Sequence, residues 1–438
     1  MSSIVTRTLP TDHITPVRAY AALRAQSPGR SSFLLESALP GDRWGRFAML
    51  GYRARSEGIY PGGFDPFEMM KKELEELGDA ESFAAGLAQA MVGFIGYDAL
   101  HRVHGVDPWP NEEYLARVMK DATVVVFDGA AQTMTIAGPS QGALNRCAWE
   151  MTHGPELHLL DRPDPEAQPE DVELTLTDEV YAAKAARARQ RIAAGDVREI
   201  VLARTFKAPL RGADPLDVYR ALRLLAPSRH LYFLDFAESP FAPGLTVLGA
   251  SGETLIQRGG GGAEERAAGE GAAAEGALDA IDALREAFTA RAPTGTPQAP
   301  ATRMIRELEA GPRHVYGGAV GYLGPNGALE LAAGQQTIVL RYGYFEVTGG
   351  AGIGEGGAPE AEAQATRREA HAPLAAIRAA HDAVKAREAA AERKAAAAEK
   401  AAAEKAAAER AAAEQAVAAQ AGAEQVGAVR GAEGGGGG

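Results

Sequence analysis

Two stretches of this 438-residue chain cannot help to build a core, and they fix where one can form. Residues 258–277, RGGGGAEERAAGEGAAAEGA, contain no large apolar side chain, so nothing there offsets the entropy lost on ordering. From 388 the chain turns AAAEK-like, with Glu399, Glu404, Glu409 and Glu414, and it closes on five glycines. Alanine favours helix, and Lys400/Glu404, Lys405/Glu409 and Arg410/Glu414 lie one turn apart. The five-residue spacing winds charge around the whole helix, which predicts a solitary solvated spacer with no apolar face. A core must therefore come from residues 1–257 and from 278 to about 385.

These residues read as two mixed α/β parts, 1–160 and 177–385, with a Pro-, Asp- and Glu-rich linker over 155–176 and the tail at 388–438. In the first part SSFLLES (31–37), AMVGFIGYD (90–98), ATVVVFD (122–128) and TMTIAG (133–138) are short apolar or β-branched runs. The last two predict a hairpin. In the second part Thr177 is a candidate N-cap, Asp178 and Glu179 occupy the first turn, and the helix stops at Gly195. EIVLARTF (199–206) is apolar on both alternating faces, as in a strand covered on both sides. Asp214 caps a second helix with Val218, Leu222 and Leu225 at helical spacing, and LYFLDF (231–236) and LTVLGAS (245–251) predict two further strands.

A net charge of −13 argues against a nucleic-acid partner, which needs a basic face. No run of about 18 apolar residues occurs, so no membrane-spanning helix is expected. The opening MSSIVTRTLPTDHITP lacks the apolar segment of a secretory signal, and the cytoplasm is the expected location. Cys147 is the single cysteine, which excludes an intrachain disulfide and a cysteine zinc site. His101 and His104 have no accompanying carboxylate pattern and read as structural.

Taken in order, the remaining motifs point one way. SFLLES (32–37) with RWGRFAMLG (43–51), VGFIGYD (92–98), AAGDVREIVLARTF (193–206), DPLDVYRALRLLAPS (214–228), LGASGETL (248–255), PTGTPQAP (293–300), YGGAVGYLGPNG (316–327), TIVLR (337–341) and GGAGIGEGGAPEAE (349–362) form an ordered series over roughly residues 20–380. The series resembles the chorismate-utilising enzymes, and among them component I of anthranilate synthase.

The resemblance implies an α/β (α+β) fold of two packed, mainly antiparallel sheets with outer helices. It implies chorismate as substrate, Mg2+ as the Lewis acid that helps the 4-hydroxyl leave, and a glutamine amidotransferase subunit as partner. The products would be anthranilate and pyruvate, on the route to tryptophan. Gly350 and Gly352 would let backbone N–H groups reach a carboxylate of this dianion, and Arg341 would grip the other carboxylate with its fork. Thr296 and Tyr316 match substrate-contacting positions, Glu362 matches a metal ligand, and Ser37 matches an effector contact for tryptophan. Water-adding relatives carry lysine and ammonia-adding relatives glutamine where this chain has Glu199.

The chain also departs from the family. The interval 256–292 lacks the "vDL.RND", "PiAGTr" and "YSHVMH" stretches, which carry metal-binding glutamates and a catalytic histidine. Ala365 replaces a second metal glutamate, and Ala301 replaces the lysine of "GAPK". The expectation is an anthranilate synthase component I-like chain of weakened turnover. The alternatives are a catalytically inactive or artificial relative and an aminodeoxychorismate synthase-like enzyme. Unpaired sheet edges and a loosened core near 256–292 are expected to accompany the missing segment.

Overall fold

In the first sheet the hydrophobic runs pair antiparallel throughout, and each strand's register follows from which face it must bury. The structure, a computed structural model, describes residues 4–39, 43–110, 113–259 and 277–433. Among these the strands run in the order Val5–Pro10, Thr133–Gly138, Thr123–Asp128, Phe47–Tyr52, Ser32–Glu36, His230–Phe236, Leu245–Ser251, Thr337–Arg341, Tyr344–Ile353, Glu199–Pro209 and Gly295–Thr296. The second sheet runs Thr254–Arg258, Leu329–Ala333, Ala319–Leu323, Met91–Ile95, Ala116–Lys120 and Ser56–Tyr60. The hairpin expected from 122–138 is present, with Val125 opposite Ile136.

The period-2 alternation of strands puts the core between the sheets. Val92, Phe94, Met119, Val320 and Tyr322 of the second sheet pack with Phe33, Leu35, Met49, Val124, Tyr232 and Val247 of the first. The alternate residues Met91, Ile95, Val118, Ala319 and Leu323 face the other way, into a layer with Phe67, Met70 and Leu74 of helix Pro66–Glu75. On the outer face of the first sheet, Tyr20 and Tyr219 pack edge-on against Phe233, with ring centroids 5.5 and 5.7 Å away. The architecture is therefore two antiparallel sheets face to face with helices outside, the α/β (α+β) class expected from the sequence.

The expected helix starts are in place: Thr177 caps Asp178–Ala193 by accepting from Val180 N, and Asp214 caps Pro215–Leu225 by accepting from Leu216 N. One expectation needs correction. In the interval 256–292, residues 260–276 lie outside the described residues, but Ala277–Arg291 is a packed helix. Its Ile281, Leu284 and Phe288, at i, i+3 and i+7, are buried, and Phe288 meets Phe67 at 5.5 Å between ring centroids. One apolar stripe is enough to seat a helix, even beside filler sequence. The 155–176 linker is irregular over 155–172 and then contributes the short strand Glu173–Leu174, paired with Phe206 and Lys207.

Helix Pro359–Glu433 begins well before the tail expected from 388. The chain divides into a unit of residues 1–381 and a second of 382–438. Within the first, Ala363, Ala370, Leu374, Ile377 and Ala380 of this helix are buried. Within the second, residues 391–420 are exposed on every face, as the charge spacing predicts. No helix among the described residues is long and apolar enough to cross a membrane.

Candidate functional site

Strand Glu199–Pro209 organises the site. One edge pairs with Tyr344–Ile353, Val201 opposite Gly352 and Ala203 opposite Gly350. The other edge pairs only near its two ends, Glu199 with Thr296 and Ile200 with Gly295, and Phe206 with Leu174 and Lys207 with Glu173. Between those ends side chains take over the ladder. The Glu309 carboxylate accepts from Ala203 N at 2.7 Å, and Arg313 donates to Val201 O at 2.6 Å. The sheet edge expected to be bare is thus covered at this point, because a bare backbone group would lack a partner once buried.

Glu309 and Arg313 are an ion pair at 2.5 Å with side chains 4% and 2% exposed. Arg313 also donates to Pro293 O and lies 4.2 Å from the Tyr97 ring centroid. Asp98, the last residue of the VGFIGYD motif, accepts from Arg313 N and His314 N. Burial pushes its carboxyl up to about 6. This network pins residues 309–316 against strand Glu199–Pro209 and closes a cavity of about 140 Å³. Arg204, Lys207, Arg313, His314, Tyr316, Arg341, Glu309 and Glu346 line it. His314 is half-buried, and desolvation with the Arg341 and Lys207 charges pushes it down to about 3, so it is neutral.

Tyr316 and Arg341 share this cavity. Arg341 stands at the end of strand Thr337–Arg341, just before a turn with Tyr342 and Gly343 both at positive φ, a geometry suited to tight hairpins. Its Nε donates to Glu346 Oε2 at 2.7 Å, and Lys207 meets Glu346 Oε1 at 2.8 Å. The arginine expected to hold a ligand carboxylate therefore holds one of the chain's own.

The same is true of the glycine turn. Gly350 N donates to Glu369 Oε2 at 2.7 Å, and the Tyr316 hydroxyl donates to both Glu369 oxygens at 3.0 Å. Two glycines permit this arrangement. A Cβ on Gly349 would lie 2.4 Å from Thr366 O, so glycine lets helix Pro359–Glu433 rest directly on the strand. A Cβ on Gly350 would lie 2.6 Å from the Tyr316 hydroxyl. Burial raises the Glu369 carboxyl above its ordinary range, opposed by the Gly350 amide and Tyr316. Sequence reasoning did not single out Glu369, although it shares a helix face with Glu362 and Thr366 at i, i+4 and i+7.

The other expected residues lie apart. Glu199 and Thr296 meet each other, Thr296 Oγ1 donating to Glu199 Oε1 at 3.3 Å, four residues or about 13 Å along the strand from Ala203. Gly352 is exposed, and a Cβ there would meet nothing within 4 Å. Ser37 lies four strands across the first sheet from Tyr344–Ile353, about 19 Å away. Its hydroxyl donates to Leu39 O and accepts from Leu39 N, a local turn, while Ala38 N donates to Ser228 O.

Glu362 is engaged by Arg189, Nη2 to Oε1 at 2.5 Å. Its other oxygen has no hydrogen-bond partner among the described residues. One free oxygen does not make a site for magnesium, which takes about six oxygens in near-octahedral array. Among the described residues no group of three His, Cys, Asp or Glu could hold a metal ion. The described residues do not fit a magnesium ion at Glu362.

Comparison with known proteins agrees with this fold. The model of a chorismate binding enzyme family matches residues 56–267 and 271–375. Anthranilate synthase component 1 of Streptomyces coelicolor is 29% identical, covering 85% of this chain and 88% of that protein. The corresponding protein of Pseudomonas putida is 27% identical, covering 84% and 93%. The first alignment runs over 464 residues, more than the whole of this chain, so that relative carries residues with no counterpart here. Two solved structures share the fold. Anthranilate synthase component I from Streptococcus pneumoniae is 21% identical with a TM-score of 0.62, covering 84% of this chain and 99% of that chain. The menaquinone-specific isochorismate synthase from Escherichia coli is 14% identical with a TM-score of 0.59, covering 86% and 95%. The family model spans more than half of the sequence, and the chain belongs to the chorismate binding enzyme family.

Proposed function

We propose that the protein is a component I-type relative of anthranilate synthase that takes chorismate into the cavity beside Tyr316 and Arg341 and converts it with ammonia at a low rate. The observation that carries this reading is the single cavity that Tyr316 and Arg341 line together; the low rate follows from the Glu362–Arg189 pair at 2.5 Å. Where the resemblance calls for a metal ligand, the carboxylate faces a cation, and Ala365 stands where a second glutamate belongs. Metal-assisted loss of a hydroxyl needs several oxygens on one ion, so this chemistry lacks its ligands among the described residues.

What remains supports binding. Arg341 and Lys207 engage Glu346, yet with Arg204 and Arg313 they give the cavity four cations against the carboxylates of Glu309 and Glu346, which suits a small carboxylate ligand. On this reading the ammonia comes from a glutamine amidotransferase subunit, the product serves tryptophan biosynthesis, and the protein works in the cytoplasm. Anthranilate fluorescence with chorismate, ammonium and Mg2+, beside an EDTA control, tests it. A faint signal indifferent to EDTA is expected, and a strong metal-dependent rise overturns the reading.

A further inference from the structure

We infer that Glu369 is a tethered occupant of the receptor formed by the Tyr316 hydroxyl and the Gly350 amide, two groups that the resemblance already assigns to substrate contact, so that a small carboxylate ligand enters only by displacing this side chain. The identity of the ligand as chorismate rests on the function proposed above; the occupancy by Glu369 rests on the geometry.

Three hydrogen bonds define the receptor: Tyr316 Oη to both Glu369 oxygens at 3.0 Å, and Gly350 N to Oε2 at 2.7 Å. A hydroxyl and a backbone amide converging on one carboxylate make a fixed anion cradle. The surroundings are shaped for it. Gly350 has no Cβ where one would strike the tyrosine hydroxyl, and Gly349 admits the helix that carries Glu369. Buried Arg313 adds a favourable field without touching the carboxylate.

The occupant is held by neutral donors. Burial raises its carboxyl, so its charge is paid for in desolvation and the contact is open to competition. Of the receptor's groups, Tyr316 alone lines the cavity that Arg341 and Lys207 share. A tethered competitor lowers the apparent affinity of a free ligand by the fraction of time it fills the site.

The test uses full-length wild type, Glu369→Ala and Glu369→Gln, with acetate followed by melting temperature and chorismate by calorimetry. Acetate is expected to raise the melting temperature of Glu369→Ala above the shifts of wild type and Glu369→Gln, and chorismate to bind Glu369→Ala about tenfold tighter than wild type. Equal acetate shifts in all three proteins, with equal chorismate affinity, overturn the receptor and leave the proposed function standing. An acetate shift specific to Glu369→Ala, with no chorismate binding by any of them, keeps the receptor and removes chorismate as its ligand. Should Glu369→Ala fail to fold, Glu369→Asp, one methylene shorter, takes its place with the same criteria.

Discussion

Arg189 on helix Asp178–Ala193 holds Glu362 at 2.5 Å, and both side chains are mostly buried. Removing one partner of such a pair strands the other. Arg189→Ala is therefore expected to destabilise the protein by about 3 kcal/mol, read by urea denaturation. A change below about 0.5 kcal/mol would match a solvent-exposed pair instead.

Phe288 anchors helix Ala277–Arg291 against Phe67. Phe288→Ala should cost about 3–4 kcal/mol, the usual range for emptying a packed aromatic site. A near-neutral substitution would restore the expectation of a loose core in that interval.

Those two sites mark where the sequence was legible and where it was not. Period-2 runs and capping residues identified the strands at 123–138 and 199–206 and the helices after Thr177 and Asp214, because these signals are local. Helix Ala277–Arg291 was obscured by adjacent filler, since only the partner Phe67 gives its stripe a meaning. The candidate site was legible as residue types. The matched motifs supplied Arg341, Tyr316 and Gly350 but not their occupants. Glu346 and Glu369 reach them through strand pairing and through a helix resting on Gly349, which no spacing encodes.

Acid should weaken the fold. His101 is pushed down to about 4 and His314 to about 3, both chiefly by burial. The unfolded chain takes up protons near 6.5 that the folded one refuses, so this stability is full above pH 6.5 and is lost as pH falls through 4 and 3. Asp98, raised to about 6, works the other way, and its protonation below pH 6 relieves a buried charge. At pH 5 the two histidines lose roughly 2 kcal/mol each, and Asp98 returns roughly 1–2 kcal/mol. The melting temperature should be lower at pH 5 than at pH 7.5. An equal or higher value at pH 5 would mean that one histidine is solvated.

Gly350 and Gly352 resemble each other in sequence and differ in surroundings. Gly350→Ala drives a Cβ to 2.6 Å from the Tyr316 hydroxyl, whereas at Gly352 nothing lies within 4 Å. Overpacking should make Gly350→Ala destabilising by about 1–3 kcal/mol. Gly352→Ala should stay within about 0.5 kcal/mol of wild type. Equal effects would contradict the packing of Tyr316 over Gly350.

Calorimetric titration of chorismate into the protein, with and without Mg2+, bears most directly on the central claim that this family member meets its ligand through side chains and backbone without a metal at Glu362. Affinity that is the same in both titrations is the expected result. Binding that appears only with Mg2+, or tightens tenfold or more when it is added, would contradict the claim.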